Sequence, residues 1–429
     1  MKKKYTILSI FCCLFFVNAQ KKTATPSTND NTGIVPSVAP ESKSNQYSNN
    51  KILTTEDIVI TEDIKPITGK EKVLSDAFII YKNDGTVVSY DLESKKQKWE
   101  YKFTDGSKEK MRNGFNIENG ILYVASSKKQ LVALNVNDGS AYWKNDIGLE
   151  DITRRYATNG QFLPISKSLI FLPTFNKNLY AFNKTTGQHI WNYQMQFEFN
   201  QYSPAVTDAY LIVPNAPWVY CFETQTGKAL WQRGFKDRPM YTLPKIDDER
   251  AYVADEIDMV YALNLKNNAN IDWEFKLGEK ESKIGETMIL NNGILYFATS
   301  SGLSAKKKAN VYALDSKSGK SLWKTEIEEF GKIKSLQQFE NTIIGFAEGE
   351  KNFMFVVDSK NGKAKTVLQP KENAISNVVK YSQNSVAFLT RNYFMIYDFT
   401  KNTFEEQALN INDPEKSRFD VYMEIIRKK

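Results

Sequence analysis

One histidine and three cysteines are all that this 429-residue chain offers for imidazole or thiolate chemistry. His189 stands two residues before Trp191 in the run TGQHIW, where strand alternation places it on an outer surface. Cys12 and Cys13 fall in an N-terminal leader, which leaves Cys221, inside VYCFE, as a lone thiol at a place that related segments fill with Ala. A small buried core residue is the reading that follows. One imidazole and one thiol cannot build a Cys/His zinc site. Asp255, Glu256 and Asp258 share a hairpin loop, DEID; grouped acids attract Ca2+, yet a solvated turn is the commoner outcome. Lys306, Lys307 and Lys308 form a basic run in an inserted loop, read as a solubilising group with an acidic partner or lipid headgroups as the alternative. Neither a Gly-rich phosphate loop nor a nucleophile elbow is present. No catalytic, cofactor-binding or metal-ligating residue is assigned.

The elements that would position any site begin after a leader. Residues 1–19 read as a secretory signal peptide, with Lys2, Lys3 and Lys4, an apolar run from Tyr5 to Val17, and small Ala19 at the cleavage end. The apolar run is shorter than the roughly 20 residues of a membrane span, and no later stretch approaches that length. Bulky Phe11 and Cys12 stand where a lipid-attachment signal has a small residue, so the mature chain is expected to be soluble and unlipidated. Residues 20–50, rich in Ser, Thr, Asn and Pro, read as a disordered tether ahead of a domain over 51–429. The formal charge of +7 falls once the three leader lysines are removed, which takes away the main support for a nucleic-acid partner.

The domain is organised by a recurring phrase. ALNVNDGSAYW (133–143), AFNKTTGQHIW (181–191), CFETQTGKALW (221–231) and ALDSKSGKSLW (313–323) share a small residue, an apolar residue, Asp/Asn/Glu, a turn, Gly and a terminal Trp. SYDLESKKQKW (89–99) lacks the Gly, with Lys95 or Lys96 in its place. ALNLKNNANIDW (262–273) carries one extra residue, VVDSKNGKAKT (356–366) ends in Thr366, and IYDFTKNTFEE (396–406) keeps only the Asp. Trp99, Trp143, Trp191, Trp231, Trp273 and Trp323 are spaced 44, 48, 40, 42 and 50 residues apart. About 44 residues is one four-stranded propeller blade. The fourth unit parses into strands at 203–207, 210–214, 218–223 and 229–235, with no helical periodicity of useful length.

The phrase has a physical reading. Asp or Asn ends the third strand and accepts hydrogen bonds from the turn, while Gly supplies a positive φ. Trp on the fourth strand then buries its ring against the adjacent blade; 150–250 Å2 of aromatic area is worth at most roughly 4–6 kcal/mol. The six tryptophans are therefore read as structural docking residues rather than ligand-stacking ones.

This phrase resembles the tryptophan-docking motif of the pyrroloquinoline-quinone (PQQ) type propeller repeat, found in quinoprotein dehydrogenases and in the outer-membrane assembly lipoprotein BamB. The resemblance covers about residues 73–410 and implies an all-β, eight-bladed propeller, with seven blades as the alternative and either EDIVIT (56–61) or RFDVYMEII (418–426) closing the ring. It implies a non-catalytic, exported scaffold, monomeric, binding envelope proteins such as the barrel-assembly machinery, with no cofactor. Quinoprotein dehydrogenases of this type are longer, and many carry an adjacent cysteine pair beside the cofactor. The only adjacent pair here is in the leader. A small quinoprotein dehydrogenase and a glycan- or peptide-binding propeller stand as alternatives. In the segments that join blades, Arg154, Arg155, Tyr156, Tyr202, Arg238 and Tyr241 are the partner-binding candidates, because Arg and Tyr most often anchor interfaces. Plugging of the central channel or loop packing is the structural alternative for each.

Overall fold

The computed structural model describes residues 34–35, 59–60, 65–69 and 71–428, apart from 109, 147–162, 175–176, 197–202, 216, 256, 279–281, 301–308, 328–331, 349–352, 369 and 412–420. Every regular element among the described residues is a β-strand, and the strands form eight antiparallel sheets in chain order. Each sheet is one blade of a ring: an eight-bladed β-propeller. Blade 2 shows the plan, with Lys110–Glu118, Ile121–Ser126, Gln130–Asn135 and Ala141–Asp146 paired in sequence from the axis to the rim. Blade 3 has three paired strands, and Ile165 bridges Ile170 where the innermost strand of the other blades runs.

The burial pattern explains why the sequence carries unbroken apolar runs. In blade 1 the strand Ala77–Tyr81 (AFIIY) is buried at every position, whereas the outermost strand Gln97–Tyr101 buries only Trp99. A middle strand has a neighbouring blade on each face, so both alternating sets of side chains are covered. A rim strand keeps one face in solvent. Cores therefore form between blades, as in the cluster that joins Ile79 and Trp99 of blade 1 to Phe115 and Leu134 of blade 2.

Ring closure uses the C-terminal segment. Tyr422–Ile426 pairs with Ala77–Tyr81 as the innermost strand of blade 1, from Tyr81 against Tyr422 to Ala77 against Ile426. Asn377 of blade 8 grips the same strand from the other side: its Nδ2 donates to the Met423 carbonyl at 2.9 Å and its Oδ1 accepts the Met423 N–H at 2.8 Å. Of the two closing segments the sequence allowed, EDIVIT does something else. Its Val59–Ile60 adds to the outer edge of blade 2, against Asp146 and Asn145. Ile34–Val35 likewise adds to the outer edge of blade 4, against Arg233 and Gln232. Both short strands satisfy edge N–H and C=O groups that the blade itself leaves unpaired.

Candidate functional site

The six repeat tryptophans sit on the outermost strands, and each indole N–H donates to a carbonyl of the next blade. The acceptors are Val136 for Trp99, Lys184 for Trp143, Thr224 for Trp191, Leu265 for Trp231, Ser316 for Trp273 and Ser359 for Trp323, at 2.8–3.2 Å. Each ring covers the turn of that next blade. A Cβ on Gly139, Gly187, Gly227, Gly319 or Gly362 would lie 2.5–2.8 Å from an indole carbon. These glycines are thus needed for space as well as for their positive φ, a requirement that the phrase alone does not reveal.

Three exceptions follow the same logic. Trp231 faces the turn with the extra residue, where Ala269, at φ 59°, hydrogen-bonds back five residues to Asn264 instead of four. In blade 7 the strand partner of Val356 is Thr366, and the following blade's turn carries Asn402 at φ 54°. In blade 8 the partner of Ile396 is Glu405, and the turn of blade 1 carries Lys95, not Lys96, at φ 58°. Lys95 Nζ lies 4.5 Å from the centroid of the Phe394 ring, so a cation takes the place of an indole contact at this seam. Where the preceding blade presents no Trp, the turn has no Gly.

A second lock lies two residues after three of the tryptophans. Asn145 Nδ2 donates to the Gly187 carbonyl, Arg233 Nη1 to the Ala269 carbonyl at 2.7 Å, and Thr325 Oγ1 to the Gly362 carbonyl.

In the acidic hairpin Glu256 lies outside the described residues and Asp258 is partly exposed, but Asp255 is not solvated as expected. Asp255 is fully buried; its Oδ1 accepts the N–H groups of Ile257, Asp258 and Met259 at 2.8–2.9 Å. Arg238, from the connection between blades 4 and 5, closes the other side, with Nη1 2.5 Å from Asp255 Oδ2 and 2.8 Å from Asp258 Oδ1. The hydrogen bond with Asp258, aided by that with Asp255, holds the guanidinium pKa above its usual range. Asp105 does similar work in blade 2, accepting from Ser126 Oγ and the Lys129 N–H. Among the described residues no group of three or more His, Cys, Asp or Glu side chains is placed to hold a metal ion.

His189 also departs from its expected surface position. Its ring stands edge-on to Tyr180 and Phe182, both ring nitrogens are buried, and burial lowers its pKa, opposed by an interaction with the Trp191 backbone. Cys221 is fully buried, and burial pushes its thiol pKa up, away from thiolate chemistry. Of the partner-binding candidates, Arg238 is engaged in the acidic hairpin and Tyr241 is partly buried in the same connection. Arg154, Arg155, Tyr156 and Tyr202 lie outside the described residues, as do Lys306, Lys307 and Lys308.

The innermost strands enclose a cavity of about 660 Å3 to which all eight blades contribute. Most of its wall is apolar or neutral, but Lys245 of blade 5 and Glu424 of the closing strand both line it. Burial raises the Glu424 pKa to about 7, opposed by the hydrogen bond that Tyr422 Oη donates at 2.7 Å. Sequence reasoning missed both residues. The available signal was a charged side chain inside the innermost strand of a repeat, where neighbours are Pro, Val and Ile.

The family model of the outer membrane protein assembly factor BamB matches residues 66–202 and 175–342, which together span nearly two thirds of the chain. The chain belongs to the BamB family. Among solved structures, BamB from Moraxella catarrhalis aligns at 15% identity and a TM-score of 0.52, over 78% of this chain and 94% of that one. The computationally designed protein Ika8 aligns at 13% identity and a TM-score of 0.54, over 71% and 87%. Dihydro-heme d1 dehydrogenase NirN, solved in complex with DHE, aligns at 11% identity and a TM-score of 0.62, over 85% and 82%. At these identities the three likenesses concern the propeller fold. A search of curated protein sequences finds no match. Within the BamB family, this chain uses its repeat tryptophans to tie blade to blade.

Proposed function

We propose that this BamB-family propeller is an exported, non-catalytic scaffold that binds envelope proteins, the barrel-assembly machinery among them, through inter-blade connections and free blade edges. The observation that carries this reading is the added strand on blade 2. The rim edge at Asn145–Asp146 pairs with Val59–Ile60, a segment from outside the blade, which is the geometry of β-strand addition. Among the described residues, rim strands such as His189–Gln194 of blade 3 and Ile271–Lys276 of blade 5 are the last strands of their sheets, with one row of backbone groups facing outward. Family membership supports the same reading, and the leader over 1–19 supplies the route of export.

Affinity capture of the tagged chain from the cell envelope, followed by mass spectrometry, tests it. Recovery of barrel-assembly components supports the scaffold; their reproducible absence overturns that partner assignment. Arg154→Glu combined with Arg155→Glu is expected to reduce recovery severalfold at unchanged melting temperature. Undiminished recovery removes both arginines from the interface.

A further inference from the structure

The two added strands share one register. On blade 2 Ile60 stands opposite Asn145, and on blade 4 Ile34 stands opposite Arg233; each partner lies two residues after the rim tryptophan. On blade 2 the segment also reaches the residue before that tryptophan, where the Lys65 N–H donates to the Tyr142 carbonyl at 2.9 Å. Two separate stretches of chain thus fit the same kind of edge. The blades that accept them are marked by a side chain. Among the described residues, Asn145 and Arg233 are two of three side chains that reach from this position to the turn of the next blade, and the third is Thr325 of blade 6. Blades 1, 3 and 5 carry partly exposed rings there instead, Tyr101, Tyr193 and Phe275. A side chain tied to the next blade leaves the edge open to backbone pairing, whereas a ring standing partly in solvent must be matched by the incoming strand. Ser321–Ile327 is the last strand of blade 6 among the described residues. Trp143 and Trp231, on the rims with an added strand, are 0% and 3% exposed. On blade 6 Trp323 and Thr325 are both partly exposed, and Leu322 is 51% exposed.

We infer that the rim of blade 6 takes an extended strand of a partner protein, antiparallel to Ser321–Ile327, with an isoleucine opposite Thr325. That register fixes the flanking chemistry. The residue before the isoleucine faces Glu326 and the residue after it faces Lys324, both of them exposed. Opposite charges across a strand pair attract and like charges repel, so the partner strand reads basic residue, isoleucine, acidic residue. Three positions beyond the isoleucine an apolar side chain meets exposed Leu322. This assignment rests on the strand-addition reading proposed above and narrows it to one edge and one class of sequence.

The test uses two fluorescein-labelled peptides titrated against the purified chain and followed by fluorescence anisotropy. TVKIEVV carries the required order of charges, and TVEIKVV exchanges them. The exchanged peptide is expected to bind about fivefold or more weakly. Lys324→Glu combined with Glu326→Lys should invert that order, which a merely structural role of either side chain would not do. Thr325→Tyr, which gives blade 6 the ring of blades 1 and 3, should abolish binding at unchanged melting temperature. Hydrogen–deuterium exchange should show protection by TVKIEVV confined to Ser321–Ile327. Equal affinity for the two peptides, an order that the double variant leaves unchanged, binding that survives Thr325→Tyr, or protection at another rim overturns the inference. Protection of Ser321–Ile327 that rises with protein concentration in the absence of peptide assigns the edge to a second copy of the chain and overturns it as well. Envelope capture tests the scaffold separately: if partners are still recovered while the peptides fail, only the blade 6 assignment falls.

Discussion

Gly227→Ala isolates the contact that repeats around the ring. The new Cβ would lie 2.5 Å from Trp191 Cδ2, at a residue whose φ is +69°. Holding a residue with a side chain in the left-handed region costs about 1–2 kcal/mol. Forcing a methyl group into a filled space costs about 1–3 kcal/mol more, because the ring is held by its hydrogen bond to the Thr224 carbonyl and cannot simply swing away. The expected loss is therefore about 2–5 kcal/mol. Urea unfolding of the purified chain, followed by far-UV circular dichroism, measures it. Two comparisons assign the cause. Lys95→Ala alters the equivalent turn residue at a seam with no indole and should cost less than about 1 kcal/mol. Gly227→Ala made on top of Trp191→Leu should cost only the backbone part, a coupling of about 1–3 kcal/mol between the two sites. If that coupling is within about 0.5 kcal/mol of zero, the indole is not what demands glycine.

Three further outcomes are expected. Glu424 has a folded pKa of about 7 against an ordinary 4.5, so its ionisation opposes folding increasingly as pH rises through that window. Glu424→Gln should leave stability unchanged below pH 4 and raise it at pH 8, by at most about 3 kcal/mol and less in proportion to the water in the cavity, as read from urea midpoints at the two pH values. His189 has the opposite sign: its pKa is lowered on folding, so its contribution is intact above the ordinary imidazole pKa and is lost as pH falls through the folded one. His189→Phe should flatten the acid side of the melting-temperature profile below about pH 6.5, and an unchanged slope there would show that the ring nitrogens find partners on protonation. Arg238→Met strands the buried Asp255 carboxylate with only its three backbone donors and should destabilise by about 3 kcal/mol in urea unfolding. A loss below about 1 kcal/mol would mean that Arg238 is energetically free to serve a partner instead.

Much of the fold was legible because the repeat is a local signal. The turn acid, the Gly and the Trp lie within eleven residues, and their recurrence at blade spacing identifies the blade as the unit without any long-range information, while the decayed last copies left seven blades open beside eight. Even the lapses were informative: Lys95 and Asn402 replace Gly at the two seams whose preceding rim strand lacks Trp. The chemistry-bearing residues were read less well, for one physical reason. Alternation along a strand predicts an inside and an outside face, but a blade packed on both sides has no outside until the rim. His189 and Asp255 were assigned to solvent by local pattern, and the structure covers both, one with Tyr180 and Phe182 and the other with Arg238.

Composition and repeat spacing by themselves determined the class, the unit and the role of the tryptophans, since a strand, a turn and a rim aromatic are set by neighbours in the chain. Which segment closes the ring was decided only in three dimensions. Tyr422–Ile426 and Ala77–Tyr81 are more than 300 residues apart and meet because the last described strand completes the first blade of the ring. The same closure carries Glu424, near the C-terminal end, to the cavity wall that mid-chain Lys245 also lines. No local rule relates two residues so distant, because their proximity is a property of the closed ring and not of either strand.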